Sequence, residues 1–302
     1  MTGPRFNRDF DPQHGTAVRE SDRVRRVTAN NPGPFTFHGT NTFLVGDRSM
    51  AIIDPGPDDP AHVEAVMAAV GDREVSHILV THTHRDHSPA SAAIKARTGA
   101  PIFAEGPHRP ARELALGEIN PLDASADLGF DPDVRVKHGD RIEGDGWAFK
   151  AVATPGHTAN HFAFALEGED ILFVGDHVMA WSTSIVAPPD GSMADYMRSL
   201  DHLMVRGDAR LLSGHGGPVT EVPDFLAGLK RHREGREAAV LDQLTHGPQS
   251  ILDMVATIYA DVDKSLHPAA SLSMLAQLEY LVERGLVEAS EPPSLTAIFR
   301  LV

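Results

Sequence analysis

The chain has 302 residues, of which 41% are hydrophobic, with 22 prolines and 26 glycines; this suffices for a core and many loops and exceeds the usual single domain. A formal charge of −15 argues against a non-specific grip on phosphate backbones or anionic membranes, while leaving room for a local basic groove. Cysteine is absent, which excludes disulfides, thiolate ligands and a cysteine nucleophile, so any metal chemistry must use His, Asp and Glu.

Residues 1–30 read as a polar lead-in with little periodicity and without the apolar core of a signal peptide. No stretch approaches the ~18 consecutive apolar residues of a membrane span, so a cytoplasmic protein with no membrane partner is expected. Residues 42–45 and 50–53 predict strands joined by a hairpin turn at Gly46-Asp47. Val63, Val66, Met67 and Val70 form the i, i+3, i+4, i+7 stripe of an amphipathic helix. Residues 77–81 predict a short buried strand. Ser88-Pro89 then predicts the N-cap and first position of a helix over 90–98, closed by Gly99. Further strands are expected near 101–104, 148–153, 162–165, 171–174 and 209–212, giving two sheets or one layered sheet flanked by helices.

Around Pro223 the character changes. A charged helix over 225–244 is broken by His246-Gly247-Pro248, and helices over 250–259 and 269–284 precede a strand-like tail at 286–288 and 295–301. Helix, helix, helix and β-ribbon is the plan of a winged helix, which divides the chain into 1–222 and 223–302.

The densest chemistry lies between the strand over 77–81 and the helix over 90–98, in Thr81-His82-Thr83-His84-Arg85-Asp86-His87. His82 and His84 stand two apart on extended chain and project to one face, and Asp86 and His87 follow as the chain turns toward the helix. Chance would give four such ligand types within six residues in well under roughly 1% of chains of this composition. Three later strand ends each carry one imidazole or carboxylate beside glycine: Gly156-His157, Gly175-Asp176 and Gly214-His215-Gly216. Together they offer five His and two Asp, enough for two metals.

The HxHxDH run and these three loops resemble the metallo-β-lactamase superfamily. Asn31-Pro32-Gly33-Pro34, Gly39-Thr40-Asn41-Thr42, Asp195-Tyr196-Met197 and the C-terminal winged helix look like its beta-lactamase-like protein 2 family, a likeness covering most of the chain. The resemblance implies an α+β fold, an αββα sandwich followed by a small winged-helix domain. It implies that His82, His84 and His157 hold one metal, that Asp86, His87 and His215 hold a second, and that Asp176 bridges them. The missing cysteine and the Asp86-His87 pair exclude the zinc β-lactamases with a cysteine ligand, and the bridging aspartate favours the glyoxalase II and RNA-processing branches.

Two divalent ions are therefore expected, zinc first for an imidazole-rich site, with manganese or iron compatible with N/O ligands. Carboxylate-bridged ions lower the pKa of bound water and yield hydroxide at neutral pH. The expected reaction is hydrolysis of a small ester or thioester, with Asp86 as the catalytic group that orients the water or shuttles its proton. The alternatives are cleavage of single-stranded RNA by the same hydroxide, a winged-helix DNA-binding regulator with a metal sensor, and a mononuclear iron oxygenase on the same fold.

Against DNA binding, the helix over 269–284 carries Glu279, Glu283 and a single basic residue, and its Leu272, Leu275, Leu278 and Leu281 read as core. The module is expected to serve as scaffold, lid or homodimer contact. Asp54 resembles a family position that braces the ligand loop, with a plain turn aspartate as the alternative. His161 is expected to line the site or to be a half-exposed strand histidine. Ser182-Thr183-Ser184 and Tyr196 either shape a pocket or are turn and helix residues. His14, His62, His108, His202, His246 and His267 read as surface histidines, and Lys230-Arg231-His232-Arg233 with Arg236 as a solvated helix face.

Overall fold

The structure is a computed structural model and describes residues 3–114, 120 and 122–302. Strands β1 (Ala17–Arg19), β2 (Val24–Thr28), β3 (Asn41–Val45), β4 (Ser49–Ile53), β5 (Glu74–Leu79), β6 (Ile102–Ala104) and β7 (Val134–Arg135) form one sheet in that order. Strands β8 (Arg141–Gly144), β9 (Trp147–Ala153), β10 (Phe162–Leu166), β11 (Ile171–Gly175) and β12 (Arg210–Ser213) form a second, in the order β12-β11-β10-β9-β8. Helices α1 (Pro60–Val70) and α2 (Ala90–Thr98) lie on the first sheet, and α3 (Met193–Met204) and the start of α4 (Val222–Leu244) on the second.

The two-residue period of the strands builds this sandwich. Phe43, Val45, Ala51 and Ile53 of the first sheet meet Phe149, Phe162, Phe164 and Phe173 of the second in the central layer. Their sequence neighbours Leu44, Met50 and Ile52 point the other way, onto Val63, Val66 and Val70 of α1 and Ile94 of α2. On the far side Val152, Ala163, Leu172 and Val174 meet Leu200 and Leu203 of α3 and Phe225, Leu226 and Leu229 of α4. Both sheets bury both faces, which explains why their strands read as apolar runs without alternation.

The expected hairpin is present, with Phe43 opposite Ile53 and Val45 opposite Ala51. The lead-in is not featureless, however. β1 and β2 extend the first sheet, and Val24 and Val27 are fully buried. The charged residues between the apolar ones hid the strand, because Arg26 is itself buried and pairs with Glu20 at 3.0 Å. Ser88 is not the cap of α2 either; its hydroxyl donates to Asp127 at 2.7 Å, and Pro89 occupies the cap position.

Strands β13 (Gln249–Ser250), β14 (Val287–Ala289) and β15 (Ile298–Leu301) form a third sheet in the order β13-β15-β14. With α5 (Ile251–Ile258) and α6 (His267–Glu283) it encloses Ile251, Met254, Leu275, Leu278, Leu281 and Phe299. α4 starts at position 222, but its Val240 and Leu244 belong to this second core while Val222 and Phe225 belong to the sandwich. Leu272 departs from the expected stripe: it is only half-buried and lies outside this core. Among the described residues, no helix is long and apolar enough to cross a membrane.

Candidate functional site

The loops that follow β5, β9, β11 and β12 open at the same end of the sandwich and carry His82 to His87, His157, Asp176 and His215. All seven sequence-predicted side chains converge there. Nitrogen or oxygen atoms of His82, His84, His157 and Asp176 lie within 4.8 Å of one another, as do those of Asp86, His87 and His215. His82 Nε2 and His157 Nε2 each stand 3.0 Å from His84 Nδ1. Asp176 lies between the groups, with Oδ2 at 3.7 Å from His157 Nε2 and 3.3 Å from His215 Nε2, and Oδ1 at 3.4 Å from His87 Nε2.

Backbone and buried polar groups fix this arrangement. Asp54 accepts from the Thr81 amide at 2.7 Å and the Thr81 hydroxyl at 2.8 Å, and its other contact is His87 Nδ1 at 3.0 Å. It braces the run from below, as the sequence suggested. The Asn41 amide donates to the carbonyls of Ser213 and Gly216 at 3.0 and 2.9 Å, holding the loop of His215. The Thr40 hydroxyl donates to Asp86 Oδ2 at 3.1 Å. Thr40 and Asn41 carry no ligand-type signature, and sequence reasoning gave them no role. Gly214 is required by close approach: a Cβ there would lie 2.5 Å from Asp176 Oδ1 and 2.6 Å from His87 Cε1.

Several weaker expectations are corrected. His161 neither lines the site nor reaches solvent. It is fully buried, contacts Thr154 Oγ1 at 2.8 Å, and its Nε2 accepts from the Asp176 amide at 3.2 Å. Tyr196 is a core residue whose hydroxyl donates to the His177 carbonyl at 3.2 Å. His62 is buried against Thr42 Oγ1 at 2.8 Å, and the His108 side chain is buried 3.2 Å from Asp190. Neither is a surface histidine. In the basic stretch of α4 Arg231 is exposed as expected, but Arg233 is buried and donates to the Ser184 carbonyl.

The electrostatics divide the cluster in two. Burial lowers His82, His84 and His157, with His84 reaching about 3, and their mutual repulsion adds to the effect. These three converge as neutral rings. In the other group burial opposes charging, yet the carboxylates of Asp86 and Asp176 prevail, raising His87 and pushing His215 up to about 10. The same imidazoles hold both carboxyls well below their usual range despite burial. His87 Nε2 and Asp176 Oδ1 nevertheless have no hydrogen-bond partner. Buried donors and acceptors are rarely left so. Converging neutral nitrogens beside carboxylates that attract protons form a donor set suited to divalent cations.

Comparison with known proteins agrees. Residues 35–215 match the family described as the metallo-beta-lactamase superfamily, and residues 250–292 match the beta-lactamase associated winged helix domain. The chain belongs to the metallo-beta-lactamase superfamily. Within this superfamily it is similar to a beta-lactamase-like protein 2 homolog of Caenorhabditis elegans, 29% identical over 89% of this chain and 87% of that protein. A homolog of the same name from Drosophila melanogaster is 27% identical over 91% of this chain and 92% of its own. The fold matches a beta-lactamase domain protein from Burkholderia ambifaria with a TM-score of 0.80 at 20% identity, covering 99% of this chain and 97% of that one. The expected α+β architecture, sandwich then winged helix, is thereby shown.

Proposed function

We propose that this superfamily member is a hydrolase working at two divalent cations, held by His82, His84 and His157 on one side and Asp86, His87 and His215 on the other, with Asp176 shared. The observation that carries the reading is the setting of this cluster. His84, Asp86, His157, Asp176 and His215 line a cavity of about 410 Å³ that also contains Phe35, Leu122, Met179 and Ile185. Polar, charge-hungry groups among apolar walls are what a small-molecule catalytic pocket requires. When bound, such ions supply Lewis acidity that polarises a carbonyl and lowers the pKa of water. Zinc fits the imidazole-rich set best.

The chain's own residues position and neutralise. Asp54 and Asn41 set the orientation of His87 and of the His215 loop, so little reorganisation remains when substrate arrives. Asp86 keeps a quarter of its side chain exposed, is held ionised, and lines the cavity. It is the group placed to take a proton from attacking water and pass it to the leaving group. The apolar walls over the cluster exclude water and favour an ester or thioester as the reacting group.

The winged helix supports the same reading. Ala269 and Leu272 of α6 lie in the cavity wall, so the helix that a DNA-binding winged helix would use as its reader is turned toward the pocket. The test is metal analysis with a hydrolysis panel of thioesters, lactones, lactams and short RNAs, including His82→Ala and Asp176→Ala. Two ions per chain and thioester or ester turnover lost in both variants are expected. Activity unchanged in both would overturn the mechanism.

A further inference from the structure

A second cavity of about 340 Å³ lies between the sandwich and the winged helix, and it shares Phe35, Met179, Ile185 and Ala269 with the pocket above the histidines. Its chemistry is different. Arg8, His232, Arg233 and Arg236 line it, and among the described residues no aspartate or glutamate does, in a chain whose net charge is −15. Many arginines elsewhere are paired, such as Arg23 with Glu169 at 2.6 Å and Arg206 with Asp208 at 2.8 Å. Among the described residues, Arg8, Arg233 and Arg236 have no carboxylate within 4.0 Å.

Burying a guanidinium without a counter-charge is costly, and a protein retains one where something compensates it. Arg233 is 6% exposed, and its Nε has no hydrogen-bond partner. Trp181, in the same cavity wall, also has a buried Nε1 with no acceptor. Arg236 lies over the Tyr259 ring at 4.4 Å and donates one N–H to the Ile258 carbonyl at 3.0 Å, leaving its other donors open. Burial and then the neighbouring Arg233 and Arg236 lower His232 to about 4, the mark of a positive local potential. The hydroxyl residues Ser182, Thr183 and Ser273 complete the wall. The cavity thus offers donors and positive charge and, among the described residues, lacks carboxylates.

We propose that this cavity is an anion subsite of the same active site, which binds a phosphate-bearing arm of the substrate while the reacting ester or thioester lies over the histidine cluster. The position of the reacting bond rests on the hydrolase reading above; the anion subsite stands without it. A phosphorylated thioester is the substrate class that fits both compartments: its arm is acceptor-rich and anionic, and its acyl group meets Leu272, Phe35 and Met179. The dividing wall comes from both domains, which gives the winged helix a role in selecting substrate.

The test has a binding arm and a kinetic arm, both on the metal-loaded full chain. Adenosine 3′,5′-bisphosphate is titrated calorimetrically into the wild type, Arg8→Ala, Arg236→Ala and Arg236→Lys. Saturable binding is expected, weakened about tenfold or more by Arg236→Ala and less by Arg236→Lys. Arg8 is exposed and makes no side-chain hydrogen bond among the described residues, so Arg8→Ala keeps the test informative if Arg236→Ala folds poorly. Absence of binding to the wild type, or wild-type affinity in both alanine variants, overturns the subsite. In the kinetic arm, the KM of an acyl N-acetylcysteamine thioester exceeds that of the same acyl group on coenzyme A, and the ratio falls toward one in Arg236→Ala. Bisphosphate binding without turnover of either thioester sustains the subsite and breaks the hydrolase reading instead. Cleavage of a short single-stranded RNA, sensitive to the same arginines, with thioesters inert, overturns the small-substrate assignment.

Discussion

The two halves of the metal cluster are built from opposite materials. His82, His84 and His157 are three imidazoles that burial keeps neutral, whereas Asp86, His87 and His215 combine a carboxylate with two imidazoles that attract protons. The first half presents lone pairs ready for a cation; the second must release protons before it can take one. Their supports differ too. In the first half His82 and His84 stand on the run after β5 and His157 on the loop after β9, where its Nδ1 contacts the Ile185 carbonyl at 2.6 Å, while the second is tied to Asp54, Thr40 and the Asn41-held loop. Asp176 reaches both. A site so divided is expected to load its first half more readily and to depend on Asp176 for its integrity.

Four measurements would break or sharpen that comparison. Asp176→Ala should have the largest effect, removing both ions by metal analysis and lowering turnover on the order of a hundredfold or more, since losing even a supporting residue costs 10–100-fold. Retention of both ions in that variant would defeat the shared role. Gly214→Ala comes next. Its Cβ would press on Asp176 and His87, so loss of the second ion with the fold intact by circular dichroism is expected. Asp54→Asn should weaken the second half, which Asp54 touches directly through His87, roughly tenfold and the first, which it reaches through Thr81, by less, read by metal-competition titration. Equal weakening of both halves would show that the braces are common.

The smallest effect concerns stability and lies outside the cluster. His62 is held near 4 chiefly by burial, partly opposed by Asp59, and it packs on Thr42, whose hydroxyl donates to the Asp54 carbonyl at 2.7 Å. Because the folded pKa is below the unfolded value of 6.5, the ring is neutral in both states above that pH and contributes no pH dependence. Below it the unfolded chain takes up the proton first, and stability falls by about 1.4 kcal/mol per pH unit until about pH 4. Unfolding free energies from denaturant titration at pH 7.5 and 5 should therefore differ by about 2 kcal/mol more in the wild type than in His62→Gln. Identical differences would show that His62 titrates freely.

Much of this molecule was legible because its chemistry is local. The histidine run and the glycine-flanked ligands announce themselves within a few residues, and the buried strands appear as apolar runs. What escaped depends on contacts far apart in sequence. Asn41 matters through carbonyls more than 170 positions away, and Leu272 resembles core until α6 is seen to turn it toward the site. Arg26 in β2 and Arg233 in α4 look solvated because a lone sequence does not show the Glu20 carboxylate or Ser184 carbonyl that meets them. Charge in sequence is a poor guide to exposure where such partners exist.

Helix α4 carries one last consequence. Its 23 residues make a rod of about 34 Å whose near end is bolted into the sandwich by Phe225 and Leu229 and whose far end is bolted into the winged helix by Val240 and Leu244. A cut at residue 222 would take the whole rod with the winged helix and leave the sandwich seam of Phe225 and Leu229 without its cover. The two modules that the sequence divides at residue 222 therefore share a structural beam, and separating them would dismantle the roof of the pocket along with the joint.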